Sequence, residues 1–239
     1  MTEAFKPQRP ASLGPIESEV LDVLGRDARA DALVIGGGIA LKHYVDLRPT
    51  HDIDAWWSES SDPAALTAIE AALAAVAERH ALTLRRRKTR AGEMHSFDLQ
   101  QHGRTVFSFQ VASRDIELAA PSRSSWGNLK LESLADTLGS KMTALVARGA
   151  PRDFLDVRAA CDSGLSTVEA MWELWGKKNP GESSADAKRE VLRHLAAIEL
   201  RNPLSGVAPT DRDRLFETRR WFREVFAGAS PLQGEEEKE

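Results

Sequence analysis

The order of apolar and polar residues changes character once along the chain. Ile16, Val20, Val23 and Leu24 recur at helical spacing, which predicts an amphipathic helix over 15–30. A short apolar run then predicts a strand over 32–35, and the chain breaks into Gly36, Gly37 and Gly38. A helix over roughly 39–46 and a strand over 51–57 follow. Ser61-Asp62-Pro63 is a helix start, a cap residue before a proline. Leu66, Ile69, Leu73 and Val76 form the buried stripe of that helix, which ends near His80. Alternating stretches over 82–88, 95–101 and 104–112 read as strands, the last two joined by a turn at His102-Gly103. An extended piece over 115–119 completes the sheet region. From Leu131 onward only helical patterns remain: one running to about Arg148 from the capping box Ser133-x-x-Asp136, one over 151–162, one opened by Ser166-x-x-Glu169, one over 184–201 and one from Thr210.

This order predicts an α+β fold, a mixed β-sheet with flanking helices followed by a C-terminal helical bundle. The expected divisions are a loose arm over 1–14, an α/β domain over 15–125, a helical domain over 126–228 and a disordered acidic tail over 229–239.

Composition narrows the function classes. The 239 residues can bury a full core, and 42% hydrophobic with 28% charged is ordinary for a globular protein. No run approaches the roughly 18 apolar residues of a membrane span, so no membrane partner is expected. The first residues lack the apolar core of a signal peptide, and the single cysteine, Cys161, fits a reducing compartment; both point to the cytoplasm. A net charge of −4 gives no global signature of a nucleic-acid binder. Any such contact must come from a local patch, and Arg85–Arg90 is the local positive cluster. It reads either as charge guarding an edge strand or as a patch for an RNA backbone or triphosphate. The histidines His43, His51, His80, His95 and His102 have no metal-ligand spacing.

The chemistry concentrates between Val34 and Trp57. On a strand, Asp52 and Asp54 project from one face while Ile53 turns into the core. Adjacent carboxylates repel, so a fold that holds them together is expected to put a cation between them. Glycines let backbone N–H groups approach phosphate oxygens closely. Together these residues predict a metal and nucleoside triphosphate site, though each alone also fits a flexible turn or a solvated carboxylate pair. Lys141 on an amphipathic helix could be simply solvated, and Asp153 fits dipole compensation at a helix start after Pro151.

With the glycines, the Asp-x-Asp strand, Lys141 and Arg152-Asp153-Phe154-x-Asp156 in place, the sequence resembles the AbiEii/AbiGii-type toxin nucleotidyltransferases of the polymerase-β-like superfamily. The resemblance covers roughly 20–165. It implies a nucleotidyltransferase-like sheet domain, with the active site between it and the helical part. It further implies that Gly36, Gly37 and Gly38 bracket a triphosphate, that Arg48 and Thr50, which precede metal-binding Asp52 and Asp54, bind the nucleotide, and that Lys141 and Asp153 contact it as well. Asp52, Asp54, Lys141 and Asp156 are then the catalytic set. The implied cofactor is Mg²⁺, with Mn²⁺ as an alternative, and an NTP is the substrate. The implied acceptor is a tRNA 3′ end or a target-protein side chain, and a cognate antitoxin is a further partner. The superfamily adds a third carboxylate from a neighbouring strand, where this chain carries Gln110; Asp98 is the other candidate. That departure keeps open a weakened member that binds nucleotide or a partner without turnover. A small-molecule nucleotidyltransferase is the remaining alternative.

Overall fold

The computed structural model describes residues 5–46, 48–88, 94–114 and 116–228. The proposed tail, residues 1–4 of the arm and part of the Arg85–Arg90 run lie outside them. The chain divides into two compact units, Met1–Leu138 and Gly139–Glu239, each described by itself.

The first unit contains α1 (Pro15–Gly25), a 3-10 turn (Ala28–Ala32), β1 (Leu33–Ile35), α2 (Gly37–Lys42), β2 (Asp52–Trp57), α3 (Pro63–Arg79), β3 (Thr83–Lys88), β4 (Met94–Gln101), β5 (Arg104–Ala112), β6 (Ser122–Arg123) and β7 (Lys130–Leu131). The strands form one mixed seven-stranded sheet in the order β3-β4-β5-β2-β1-β7-β6. β2 runs antiparallel to β1 and parallel to β5, so the carboxylate strand is central. Asp62 starts α3 by accepting from the Ala64 and Ala65 amides at 2.7 and 3.3 Å. The side chains of Val20, Leu21 and Leu24 of α1 join Ile69, Leu73 and Val76 of α3 and Ile53, Phe97, Phe107 and Phe109 of the sheet in one buried cluster. Along the arm, the Gln8 amide donates to the His43 carbonyl at 2.9 Å, and Lys42 Nζ donates to Ser12 Oγ at 2.9 Å.

The first helix stops at Gly25 rather than near 30. The Gly25 carbonyl accepts from the Asn128 amide at 2.9 Å, and Asp27 caps a separate 3-10 turn through the Arg29 amide. The second helix begins at Gly37, two residues early, and ends at Lys42. The described residues of 115–119 form no strand. Their amides at Leu118 and Ala119 donate instead to the Asp136 carboxylate at 2.9 and 3.0 Å. The sheet is completed by β6 and β7, with Val34 opposite Lys130 and Ile35 opposite Leu131. Two-residue strands carry no alternation to read, which is why the pattern missed them.

In the second unit, α4 (Leu134–Ala147, its first turn in the first unit) leads to α5 (Pro151–Asp162), α6 (Val168–Lys178), α7 (Ser184–Arg201) and α8 (Pro209–Trp221), then a π turn over Phe222–Phe226. Ser133 and Asp136 form the expected box at the start of α4. α6 takes Thr167, not Ser166, as its cap, its hydroxyl accepting from the Ala170 amide at 3.2 Å. Met142, Leu145, Val157, Met171, Trp175, Val191, Phe222 and Phe226 are buried. The α+β class with a mixed sheet and a helical C-terminal part is the observed one. No helix among the described residues is long and apolar enough to cross a membrane.

Candidate active site

The three glycines lie where β1 turns into α2, directly against β2. The Gly36 amide donates to the Asp54 carbonyl at 2.8 Å. Gly37 has φ +60, and a Cβ there would fall 2.2 Å from Asp54 Oδ2. Only glycine adopts that conformation without strain and leaves the carboxylate its place. A Cβ at Gly38 would lie 3.0 Å from Thr50 Oγ1, so the loop closes over the approach to the strand as well.

Along β2 the burial alternates. Ile53, Ala55 and Trp57 enter the apolar cluster, while Asp52, Asp54 and Trp56 stand half-buried on the opposite face. Thr50 is buried and its hydroxyl donates to Asp52 Oδ1 at 2.5 Å, which fixes that carboxylate's orientation. Half-buried Arg48 donates to the Pro49 carbonyl at 3.3 Å. With Asp46, Thr50 and His51 it lines a cavity of about 540 Å³. The structure therefore assembles Gly36, Gly37, Gly38, Thr50, Asp52 and Asp54 in one place.

The neighbouring strands decide where a third carboxylate could stand. Asp52 is opposite Ser108 and Asp54 opposite Gln110 on β5; Ser108 is in turn opposite Asp98 on β4. Gln110 thus occupies the position beside Asp54. Asp98 is two strands from Asp52, roughly 9–10 Å at the usual spacing. It is buried, accepts from Ser108 Oγ at 2.9 Å and pairs with Arg87 Nε at 2.9 Å. Among the described residues no group of three or more His, Cys, Asp or Glu side chains is placed to hold a metal ion. Two adjacent carboxylates do fit a Mg²⁺ ion whose remaining ligands are phosphate oxygens and water, the usual habit of that ion.

Two neighbours of the glycines carried no sequence signal. Glu132 follows β7, and its amide donates to the Ile35 carbonyl, which sets it beside Gly36 across the sheet. It is fully buried, 3.3 Å from Arg114 Nη1 and 3.4 Å from Thr137 Oγ1. Burial pushes the Tyr44 phenol up from its ordinary range, and the Glu132 charge adds to the effect. The Trp56 indole nitrogen is buried without a hydrogen-bond partner among the described residues. A Cβ at Gly36 would fall 2.4 Å from it.

Lys141, Asp153 and Asp156 belong to the second unit. Lys141 Nζ meets Asp156 Oδ2 at 2.7 Å, both residues buried, joining α4 to α5. The carboxylate of Asp153 is gripped by Arg148 Nε and Nη2 at 2.9 and 3.0 Å and accepts from the Ala150 amide at 3.0 Å. The dipole compensation read from the sequence is thus present at Asp153, and Asp156 has Lys141 as its partner.

Glycines thus close against an Asp-x-Asp strand in the middle of a mixed sheet, and the family match gives the class, a nucleotidyltransferase. The chain belongs to the nucleotidyl transferase AbiEii toxin family of type IV toxin–antitoxin systems, whose model matches residues 19–223. Among solved structures it is similar to the Megavirus polyadenylate synthase, at 8% identity and a TM-score of 0.40, over 91% of this chain and 52% of that one. The chain thus spans about half the length of that protein. A comparison with curated proteins finds no match.

Proposed function

We propose that the protein is a Mg²⁺-dependent nucleotidyltransferase that moves NMP from an NTP to a hydroxyl of a macromolecule, an RNA 3′ end of the tRNA kind or a protein side chain. The reading is carried by the Gly37 backbone closed against Asp54 beside Asp52, in a chain of a nucleotidyl transferase family. Transfer of this kind needs charge neutralisation and in-line positioning more than covalent help. Backbone N–H groups at Gly37 and Gly38 face the triphosphate, the Gly36 amide being held by the Asp54 carbonyl, and Asp52 and Asp54 would hold the Mg²⁺. When bound, that ion neutralises phosphate charge and orients the chain of phosphates. The acceptor oxygen bonds to the α-phosphorus, the bond to pyrophosphate breaks, and the hydroxyl proton passes to a carboxylate of the pair. Thr50 keeps Asp52 aimed. In a type IV setting the outcome is growth inhibition, with a cognate antitoxin as counterpart.

The experiment is incubation with each α-³²P-labelled NTP and total cellular RNA plus protein, resolved on a gel. Label should enter one macromolecular band with the wild type, and Asp52→Ala with Asp54→Ala should abolish it without unfolding the chain. Full transfer by that double variant would sink the proposal. Gln110 beside Asp54 favours one rival, a member that binds nucleotide without turnover. Measurable NTP affinity with no transfer to either fraction would favour it.

A further inference from the structure

The strand registers align two rows of side chains across the face that carries the carboxylates. Arg85 is opposite Asp98, Asp98 opposite Ser108, and Ser108 opposite Asp52; one step along, Arg87, Ser96, Gln110 and Asp54 line up in the same way. Residues directly opposite one another share a face. Arg85 and Arg87 therefore stand on the carboxylate face at the edge of the sheet. They lie three strand spacings from Asp52 and Asp54, about 14 Å. Arg86 points the other way, paired with Glu70 at 2.6 Å and lying 5.7 Å from the Phe97 ring centre.

The three arginines are treated differently. A charge that merely guards an edge strand works from solvent and needs no buried partner. Arg87 has one: its Nε is 2.9 Å from Asp98, which is 4% exposed and also accepts from Ser108 Oγ at 2.9 Å. Burying a carboxylate is costly unless it is paired, so Asp98 is placed to hold a guanidinium rather than to sit in a solvated run. One bond leaves that five-donor group able to bind further acceptors. Arg85 is exposed and has no ion pair or hydrogen bond among the described residues. On a chain of net charge −4, one guanidinium held by Asp98 and a second, exposed one beside it on the same face are complementary to a polyanion.

We propose that Arg85 and Arg87 clamp the phosphate backbone of an acceptor RNA strand, leading its 3′ end toward Asp52 and Asp54, with Asp98 and Ser108 as the positioning residues that fix Arg87. The inference rests on the nucleotidyltransfer reading above and names the acceptor class and the surface that receives it. Arginine binds phosphate through a planar fork, and each such contact contributes a salt-dependent, sequence-independent increment of affinity. The 14 Å between clamp and carboxylates is a span of a few nucleotides, so the clamp grips the strand upstream of the reacting end.

The test is fluorescence anisotropy with a 5′-fluorescein single-stranded oligoribonucleotide over a series of salt concentrations, alongside Mg²⁺-dependent binding of a fluorescent NTP analogue. Arg85→Ala should weaken RNA binding several-fold and flatten the log affinity–log salt slope by about 0.7, the value for one lost single-strand contact. Arg85→Glu should weaken it further, and both should bind the NTP analogue as the wild type does. Because Arg87→Ala strips a buried carboxylate of its partner and could unfold the chain, Arg85 carries the decision. Unchanged RNA affinity and slope in both Arg85 variants would overturn the clamp. So would a wild type that binds no RNA yet labels a protein band. A wild type that binds RNA but no NTP would instead overturn the nucleotidyltransfer reading, leaving the clamp to stand on the RNA titration.

Discussion

Gly37 is the position where one added carbon changes most. With φ +60 and a Cβ site 2.2 Å from Asp54 Oδ2, Gly37→Ala must strain the backbone and displace the carboxylate. The left-handed conformation alone costs about 1–2 kcal/mol in an L-residue. A lower urea midpoint, together with loss of NTP binding, is the expected result. Native-like affinity in a folded Gly37→Ala protein would detach Asp54 from the nucleotide. His43 gives a pH dependence. Its Nδ1 lies 2.9 Å from the Ile39 carbonyl, and its buried Nε2 has no partner among the described residues. Burial lowers its pKa from the ordinary 6.5, with the Ile39 bond opposing. Folding therefore favours the neutral ring, and the unfolded chain binds the proton first as pH falls through about 6.5. Stability contributed here is full above that pH and declines below it. Urea unfolding at pH 7.5 and 5.5 should lose more stability on acidification in the wild type than in His43→Gln.

Among the elements, β2 was the most legible, because alternation of Asp52, Ile53, Asp54, Ala55 fixes which face each residue takes once one face is buried. The α4–α5 pair was legible only in part. The sequence marked Lys141 and Asp156 as catalytic candidates, and packing brings them together at 2.7 Å. Removing one member of a buried pair leaves an uncompensated charge, at a cost of about 3–5 kcal/mol. Lys141→Met should therefore destabilise strongly, and Asp156→Leu added to it should recover much of the loss. Equal urea midpoints for the single and double variants would show that the pair is not coupled. What could not be read were β6, β7 and the Asp136 contacts to Leu118 and Ala119, since nothing repeats within two residues and no motif marks a carboxylate that caps a distant loop.

For the molecule as a whole, the measurable consequence of the proposed site is linkage. A ligand that binds only the folded chain stabilises it by about 2.7 kcal/mol at a hundredfold excess over its Kd. An NTP with Mg²⁺ should raise the melting temperature, EDTA should remove the increase, and the Asp52→Ala, Asp54→Ala protein should show none. A shift that survives EDTA would argue that the carboxylates do not act through a metal ion.

Local order alone determined that this chain has a mixed sheet followed by helices, that Asp52 and Asp54 share a face, and that glycines precede them. These follow from periods of two and 3.6 residues and from backbone freedom, which are properties of short segments. Tertiary structure decided which strands flank the carboxylates. The parallel pairing of β2 with β5 put Gln110, not an acid, beside Asp54, and gave Asp98 to Arg87. It also brought Glu132 next to Gly36 through a strand too short to announce itself. Register between strands distant in sequence is set by burial of the whole face, and no window of the chain contains it.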